Sequence, residues 1–325
     1  MGARVALLSN PRSTGNRALL PRVRSFCASH KDIFHYEVED VSQIGAALTT
    51  IARIKPMVLV INGGDGTVQA TLTEIYNGGH FGEKPPPMAV LPNGKTNLIA
   101  HDLGADGDAI AALERVLEIA RSGLDPHIVE RELIALSGGS RNGKPVLGMF
   151  LGGAGLAETM LYCRHKLYPL GLPNAVAHAL ALILGLLGVL LGAWATFLPP
   201  RPTRLKVTVL KHGVLQGQFA FLMVTTLQKL LLKGVMPGAG PRVGAMQLLL
   251  IERRMLSLLG AFFAAIRGRL GRTRLSGVHL ERGDEIRIEG DDSRVILDGE
   301  LFEAYGNQPI VLRPTAPVSF LQLAA

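Results

Sequence analysis

The first third of the chain alternates short apolar runs with stretches of helical spacing. Residues 4–8 read as a buried strand, followed by a turn over 9–16 and a helix reaching residue 28. Residues 34–38 alternate as a strand does, and 41–54 carry helical spacing. Pro56 breaks the chain before a strand at 57–61, a glycine-rich loop and a helix from Thr67 to Tyr76. After Gly78, Gly79 and prolines 85–87, a strand at 88–91 again ends in a loop and a helix. Strands alternating with helices predict a parallel sheet covered on both faces, whose ligands sit at the carboxyl ends of the strands. Three loops lie at such ends: 9–16, 62–66 and 92–96. A helix over 108–122 closes this α/β unit, expected over 1–125.

Beyond Pro126 the pattern changes. Residues 127–136, 146–151, 205–210, 218–225, 246–251, 285–289 and 294–297 read as strands separated by turns. They predict an antiparallel β domain over 126–305, with residues 306–325 returning to the first domain. Two apolar stretches interrupt it. Residues 175–198, inside an expected helical insert at 165–200, hold His178 as their one titratable group. That length suits a bilayer span or a helical hairpin buried in the second domain. In 252–274, Leu256, Leu259, Phe263, Ile266 and Leu270 recur at helical spacing. Arg253, Arg254, Arg267, Arg269, Arg272 and Arg274 stand at its two ends. It reads either as an amphipathic helix for an anionic membrane or as a core helix with solvated arginines.

Composition narrows the classes. The chain of 325 residues is long enough for two domains. At 48% hydrophobic and 18% charged residues, it is too polar for a polytopic membrane protein. The net charge of +8 suits nucleic acid, nucleotide phosphates or an anionic membrane. Aromatics are 5% and no basic run is interleaved with them, so no nucleic-acid partner is expected. The two cysteines, Cys27 and Cys163, have no metal-ligand spacing and fit a reducing compartment. The N-terminus shows no apolar signal region, so a cytoplasmic location is expected, peripheral at the inner membrane surface. Nothing in the pattern speaks to oligomeric state.

The most informative segment runs from the strand at 57–61 into Gly63, Gly64, Asp65, Gly66 and Thr67. Glycines let backbone amides approach an anion, and the helix that follows points its positive end at the same place. A carboxylate in a phosphate cradle makes sense when a cation bridges the two, so Asp65 is a candidate Mg²⁺ contact. A tight turn capped locally by Asp65 is the alternative. The loop with Gly94, Lys95, Thr96 and Asn97 repeats the grammar, as does the loop from Asn10 through Arg12 and Ser13 to Gly15. Near the C-terminus, Asp298 and Glu300 flank Gly299 at a strand end. They suit a general base for a hydroxyl substrate, or equally an ordinary hairpin turn.

In their order and spacing, residues 63–67, the loop at 92–97 and residues 298–300 resemble the diacylglycerol kinase catalytic family, which includes bacterial lipid kinases, sphingosine kinases and ceramide kinases. Gly155, Leu156 and Ala157 resemble a step early in that family's second domain. NAD kinases and phosphofructokinases share close versions of the Gly-Gly-Asp-Gly-Thr motif. The late Asp-Gly-Glu makes the combination more specific.

The resemblance implies a phosphofructokinase- and NAD kinase-like α/β domain joined to a C-terminal β-sandwich, with ATP and Mg²⁺ in the cleft between them. By similarity, Asn10, Ser13 and Gly15 touch the nucleotide. Gly63, Gly64, Asp65, Gly66 and Thr67 hold its phosphates, and Gly94, Thr96 and Asn97 complete the pocket. Asp298 and Glu300 fall on catalytic carboxylates, Glu300 as the base acting on diacylglycerol or a related lipid. The chain departs from the family at Lys95, where Thr is usual, in a longer first loop, and at 241–247, where acids for a second metal are missing. A nucleotide- or lipid-binding protein without turnover and a kinase with a soluble substrate are the alternatives.

Overall fold

The apolar run Val5–Ser9 folds as strand β1, buried along its whole length. Helix α1 (Asn16–Ser29) carries the chain to β2 (Ile33–Glu37), and α2 (Ile44–Ile54) carries it to β3 (Val58–Asn62). α2 forms because Ile44, Ala47, Leu48 and Ile51 fall on one buried face, and Lys55 in a left-handed conformation ends it. Then follow α3 (Asp65–Gly78), β4 (Met88–Val90), α4 (Leu98–Asp102), α5 (Ala109–Ser122) and β5 (Ile128–Arg131). α5 starts where the Asp108 carboxylate accepts the Ile110 amide at 2.9 Å. This computed structural model describes residues 4–82, 84–139, 141–167, 180, 184, 203–210, 213–228, 246–270, 274–290, 293–304 and 308–324.

The second half is antiparallel. β6 (Ile134–Gly138), β7 (Arg141–Gly148) and β8 (Phe150–Gly153) lead into helix α6 (Gly155–Tyr162). β9 (Arg204–Val209), β10 (Gly213–Thr225) and β11 (Met246–Glu252) precede helix α7 (Met255–Ile266). β12 (Val278–Gly283), β13 (Ile286–Glu289), β14 (Ser293–Leu297), β15 (Glu300–Ala304) and β16 (Ile310–Pro314) complete it. The 11-stranded sheet runs β15-β14-β8-β10-β9-β13-β16-β6-β7, with β11 on β10 and β12 on β11. Strand β10 belongs to both arms: residues 213–218 pair with β9, and its later residues pair with β8 and β11. Leu205, Val207, Ile286 and Leu312 of one arm share a core with Leu151, Leu222, Leu248 and Val295 of the other, so the arms face each other as two layers.

The last strand, β17 (Val318–Leu321), leaves this domain and enters the first sheet, whose order is β2-β1-β3-β4-β17-β5. It is parallel to β4 and antiparallel to β5. The chain therefore crosses between the sheets at 132–133 and again at 315–317. These crossings are tied together: the Leu133 amide donates to Thr315 Oγ1 at 3.0 Å, and the Thr315 amide to the Leu133 carbonyl at 2.9 Å.

Two expected strands are each divided in the structure. Residues 127–136 split at this crossing into β5 in the first sheet and β6 in the second. Residues 146–151 split at Met149, because the amides of Met149 and Phe150 turn toward Asp298. Of the apolar stretch 175–198, Leu180 and Leu184 are described and pack against Cys163 and Leu167; the rest lies outside the described residues, as do 241–245. Among the described residues no helix is long and apolar enough to cross a membrane.

Candidate active site

Parallel strands bring β1, β3 and β4 to one edge by their carboxyl ends. Behind the loops that follow lie three buried amides: Asn16 at the start of α1, Asn62 at the end of β3, and Asn93 after β4. Asn93 Nδ2 donates to Asn16 Oδ1 at 2.5 Å and to Asn62 Oδ1 at 2.7 Å. Asn16 Nδ2 donates to the carbonyls of Asn10 (2.7 Å) and Asn62 (3.0 Å), and Asn62 Nδ2 to Ser9 Oγ (2.9 Å). Buried amides are costly unless paired, so this network holds the loops in register. Ser13 Oγ ties the first loop to the third by donating to the Asn93 carbonyl at 2.8 Å.

Glycine allows the loops to touch. A Cβ on Gly94 would stand 2.9 Å from the Gly64 Cα, and one on Gly15 2.6 Å from the Asn93 carbonyl oxygen. Both contacts are too short for any side chain. Helix α3 opens over this cradle, with Gly64 as its N-cap and no side-chain cap. The amides of a first helical turn have no helical acceptors, and here that turn can receive an anion. Thr67 is buried in the first turn of α3: its hydroxyl accepts from Asn10 Nδ2 at 2.9 Å and its amide donates to the Gly64 carbonyl at 2.9 Å. Gly94 donates its amide to Asn97 Oδ1 at 2.6 Å, while Lys95 and Thr96 are exposed at the rim.

The second domain supplies carboxylates. Asp298 and Gly299 form the two-residue turn between β14 and β15, both with positive φ (44° and 95°). That left-handed pair makes a tight hairpin, for which Asp-Gly is favoured. The turn is also a site element. Asp298 is buried, and its two oxygens accept the amides of Met149 (2.8 Å) and Phe150 (3.0 Å). Burial pushes its carboxyl up to about 8, the charge of nearby Asp65 adds to this, and the two amides oppose it. Asp65 is raised to about 6 by burial, against a hydrogen bond from Thr96. Glu300, the next residue of the hairpin, is exposed and places Oε1 3.2 Å from where a Cβ on Gly66 would stand. Gln69 on α3 donates to the Leu297 carbonyl at 2.6 Å, and Arg164 to the Gly299 carbonyl at 3.2 Å. The hairpin is thus held over the opening turn of α3.

Two neighbouring carboxylates with raised affinity for protons, Asp298 buried and Asp65 half-buried, fit a divalent cation, which would replace the proton as the neutralising charge. Among the described residues no cluster of three or more His, Cys, Asp or Glu side chains could hold a metal on its own. A cation here would take its remaining ligands from phosphate oxygens and water. The sequence reading missed Asn16, Asn62 and Asn93. Its one available signal was a polar Asn62 ending an apolar strand.

Residues 4–126 match the family model of the diacylglycerol kinase catalytic domain. A crystal structure of a diacylglycerol kinase from Bacillus anthracis superposes with a TM-score of 0.61 at 16% identity, covering 99% of this chain and 97% of that one. An NAD kinase from Archaeoglobus fulgidus, solved in complex with ATP, has a TM-score of 0.50 at 11% identity, covering 98% and 93%. At such identities the likeness shows the fold: an α/β domain of this type followed by an antiparallel β domain. No curated protein matches the chain.

Proposed function

From a chain whose residues 4–126 carry the diacylglycerol kinase catalytic domain, we infer an ATP-dependent lipid kinase that transfers the γ-phosphate to a hydroxyl of diacylglycerol or a related lipid. The observation that carries this reading is the convergence of the Asp298–Glu300 hairpin on the glycine cradle at the start of α3.

The cradle amides and the α3 N-terminus bind the phosphate chain. Asp65 and Asp298 would hold Mg²⁺, which when bound neutralises charge on the phosphoryl oxygens. Glu300 takes the proton from the acceptor hydroxyl as its oxygen attacks the γ-phosphorus in line. The bond from that phosphorus to the β,γ-bridging oxygen breaks, and ADP leaves. The locked Asp298 turn keeps Glu300 at the transfer point, which favours a reaction that depends on positioning.

The test is transfer of labelled γ-phosphate to diacylglycerol, monoacylglycerol, sphingosine and ceramide in mixed micelles. NAD serves as the soluble control and Asp65→Asn as the blank. A labelled lipid absent from the blank supports the reading and names the acceptor class. Label on NAD alone points to a soluble substrate. ATP binding without label points to a protein that binds without turnover.

A further inference from the structure

Helix α7 packs backwards. Toward the sheet it buries small residues, Ser257, Ala261 and Ala264. Leu258 packs partly buried beside them, but five large side chains face out: Leu256 is 86% exposed, Ile266 65%, Met255 54%, Phe263 50% and Phe262 49%. At roughly 100° per residue these five span an arc of about 120° opposite the buried small residues. A core helix does the reverse, because burying large apolar side chains is the main gain from packing. The sheet residues beneath, Met223, Leu249, Ile251 and Leu280, are already covered by the small face. The outward arc has the character of a binding surface.

Charge selects the occupant. Arg267 and Arg269 at the C-terminal end and Arg254 at the N-cap are exposed; Arg254 pairs with Glu252 at 3.0 Å, and residues 253–270 contain no acid. The Arg267 guanidinium lies 5.7 Å from the centre of the Phe263 ring, so one cation sits level with the apolar stripe. A cavity of about 350 Å³ opens at the first turn, lined by Arg254, Met255, Leu256, Ser257, Gly260 and Leu275, with no phosphate-loop residue among them. A wide apolar stripe bordered by arginines fits the acyl and headgroup layers of an anionic bilayer, where such a helix lies in the interface plane.

We propose that α7 docks the protein onto an anionic membrane by sinking Leu256, Phe263 and Ile266 into the interface while Arg254, Arg267 and Arg269 meet lipid phosphates. The face lies on the same side of the sheet as α6, since Gly152 under Leu156 and Met160 of α6 is paired with Met223 under α7. Docking through α7 therefore brings the α6 side of the domain toward the lipid. This goes beyond the kinase reading and is measured without turnover.

The experiment is flotation of the full chain with vesicles of phosphatidylcholine alone and of phosphatidylcholine mixed with phosphatidylglycerol. Two variants are compared, L256S/F263S/I266S and R254Q/R267Q/R269Q. All six side chains are exposed, and an unchanged melting temperature verifies folding. The wild type is expected to bind mixed vesicles at least about tenfold better than neutral ones, and the serine variant to lose about tenfold or more. The glutamine variant should lose the preference for anionic lipid and the sensitivity to salt. Equal flotation of wild type and serine variant, or wild type that stays unbound, would overturn the proposal. So would a concentration-dependent dimer that the serine variant abolishes, which would assign the face to a second copy. Phosphate transfer to a water-soluble short-chain diacylglycerol is run alongside: if it persists while flotation fails, only the docking proposal falls.

Discussion

Asp298 occupies a left-handed conformation that Asn also tolerates, so Asp298→Asn removes its charge, together with one of the two amide acceptors, while the turn conformation is kept. Its carboxyl is raised from 3.8 to about 8 by burial and by Asp65. Between those values the folded protein holds a proton that the unfolded chain has released. Its contribution is complete below the unfolded value and is lost as pH rises through the folded one. Without ligand, the melting temperature is expected to fall as pH rises from about 5 to about 9, and the Asp298→Asn protein to show a flatter profile. Parallel profiles would remove Asp298 as the cause. Glu300→Gln should lower kcat by roughly 10²–10⁴-fold while ATP affinity, read by calorimetry, changes little. Preserved turnover would exclude Glu300 as the base.

The loops after β1, β3 and β4 act as one element because three asparagines join them. Asn93→Ala leaves Asn16 Oδ1 and Asn62 Oδ1 without their shared donor. The expected cost is about 1–3 kcal/mol for each orphaned oxygen, seen as a lower urea midpoint. ATP affinity should fall with it, since the lost side chain no longer holds in place the backbone carbonyl that anchors Ser13. Gly94→Ala meets the Gly64 backbone and should weaken ATP binding without a comparable loss of stability. A variant that binds ATP normally would show that the two loops can separate.

At the scale of the molecule, the two sheets are joined by paired crossings and by the hairpin over α3. Phe320 on β17 is fully buried in the core of the first domain, although the chain reaches it only after completing the second. Phe320→Ala should cost about 3–5 kcal/mol by chemical denaturation. Breaking the Gln69–Leu297 contact with Gln69→Leu is a milder change. It should lower kcat/KM more than stability, because the contact positions the hairpin rather than either core. A large fall in melting temperature with unaltered kinetics would contradict that.

The parallel sheet of the first four strands was legible from alternating periods, since β1, β3 and β4 are short apolar runs and β2 alternates, each bounded by a helix or a turn. The glycine loops were legible too, because close approach of one loop to another favours one residue type. The Asp298-Gly299 turn and its carboxylates could be read from the sequence, but their approach to the cradle could not. Gln69 and Leu297 are 228 positions apart, and only chain closure brings the hairpin to the cradle. The break at Met149 was hidden for the same reason, as the acceptor of its amide lies 149 residues away. In α7 the spacing of Leu256, Phe263 and Ile266 established an apolar face, leaving open whether it met core or solvent. Periodicity records which side of a helix is apolar. The space left above β10, β11 and β12 decided that Ser257, Ala261 and Ala264 went in while Leu256, Phe263 and Ile266 stayed out.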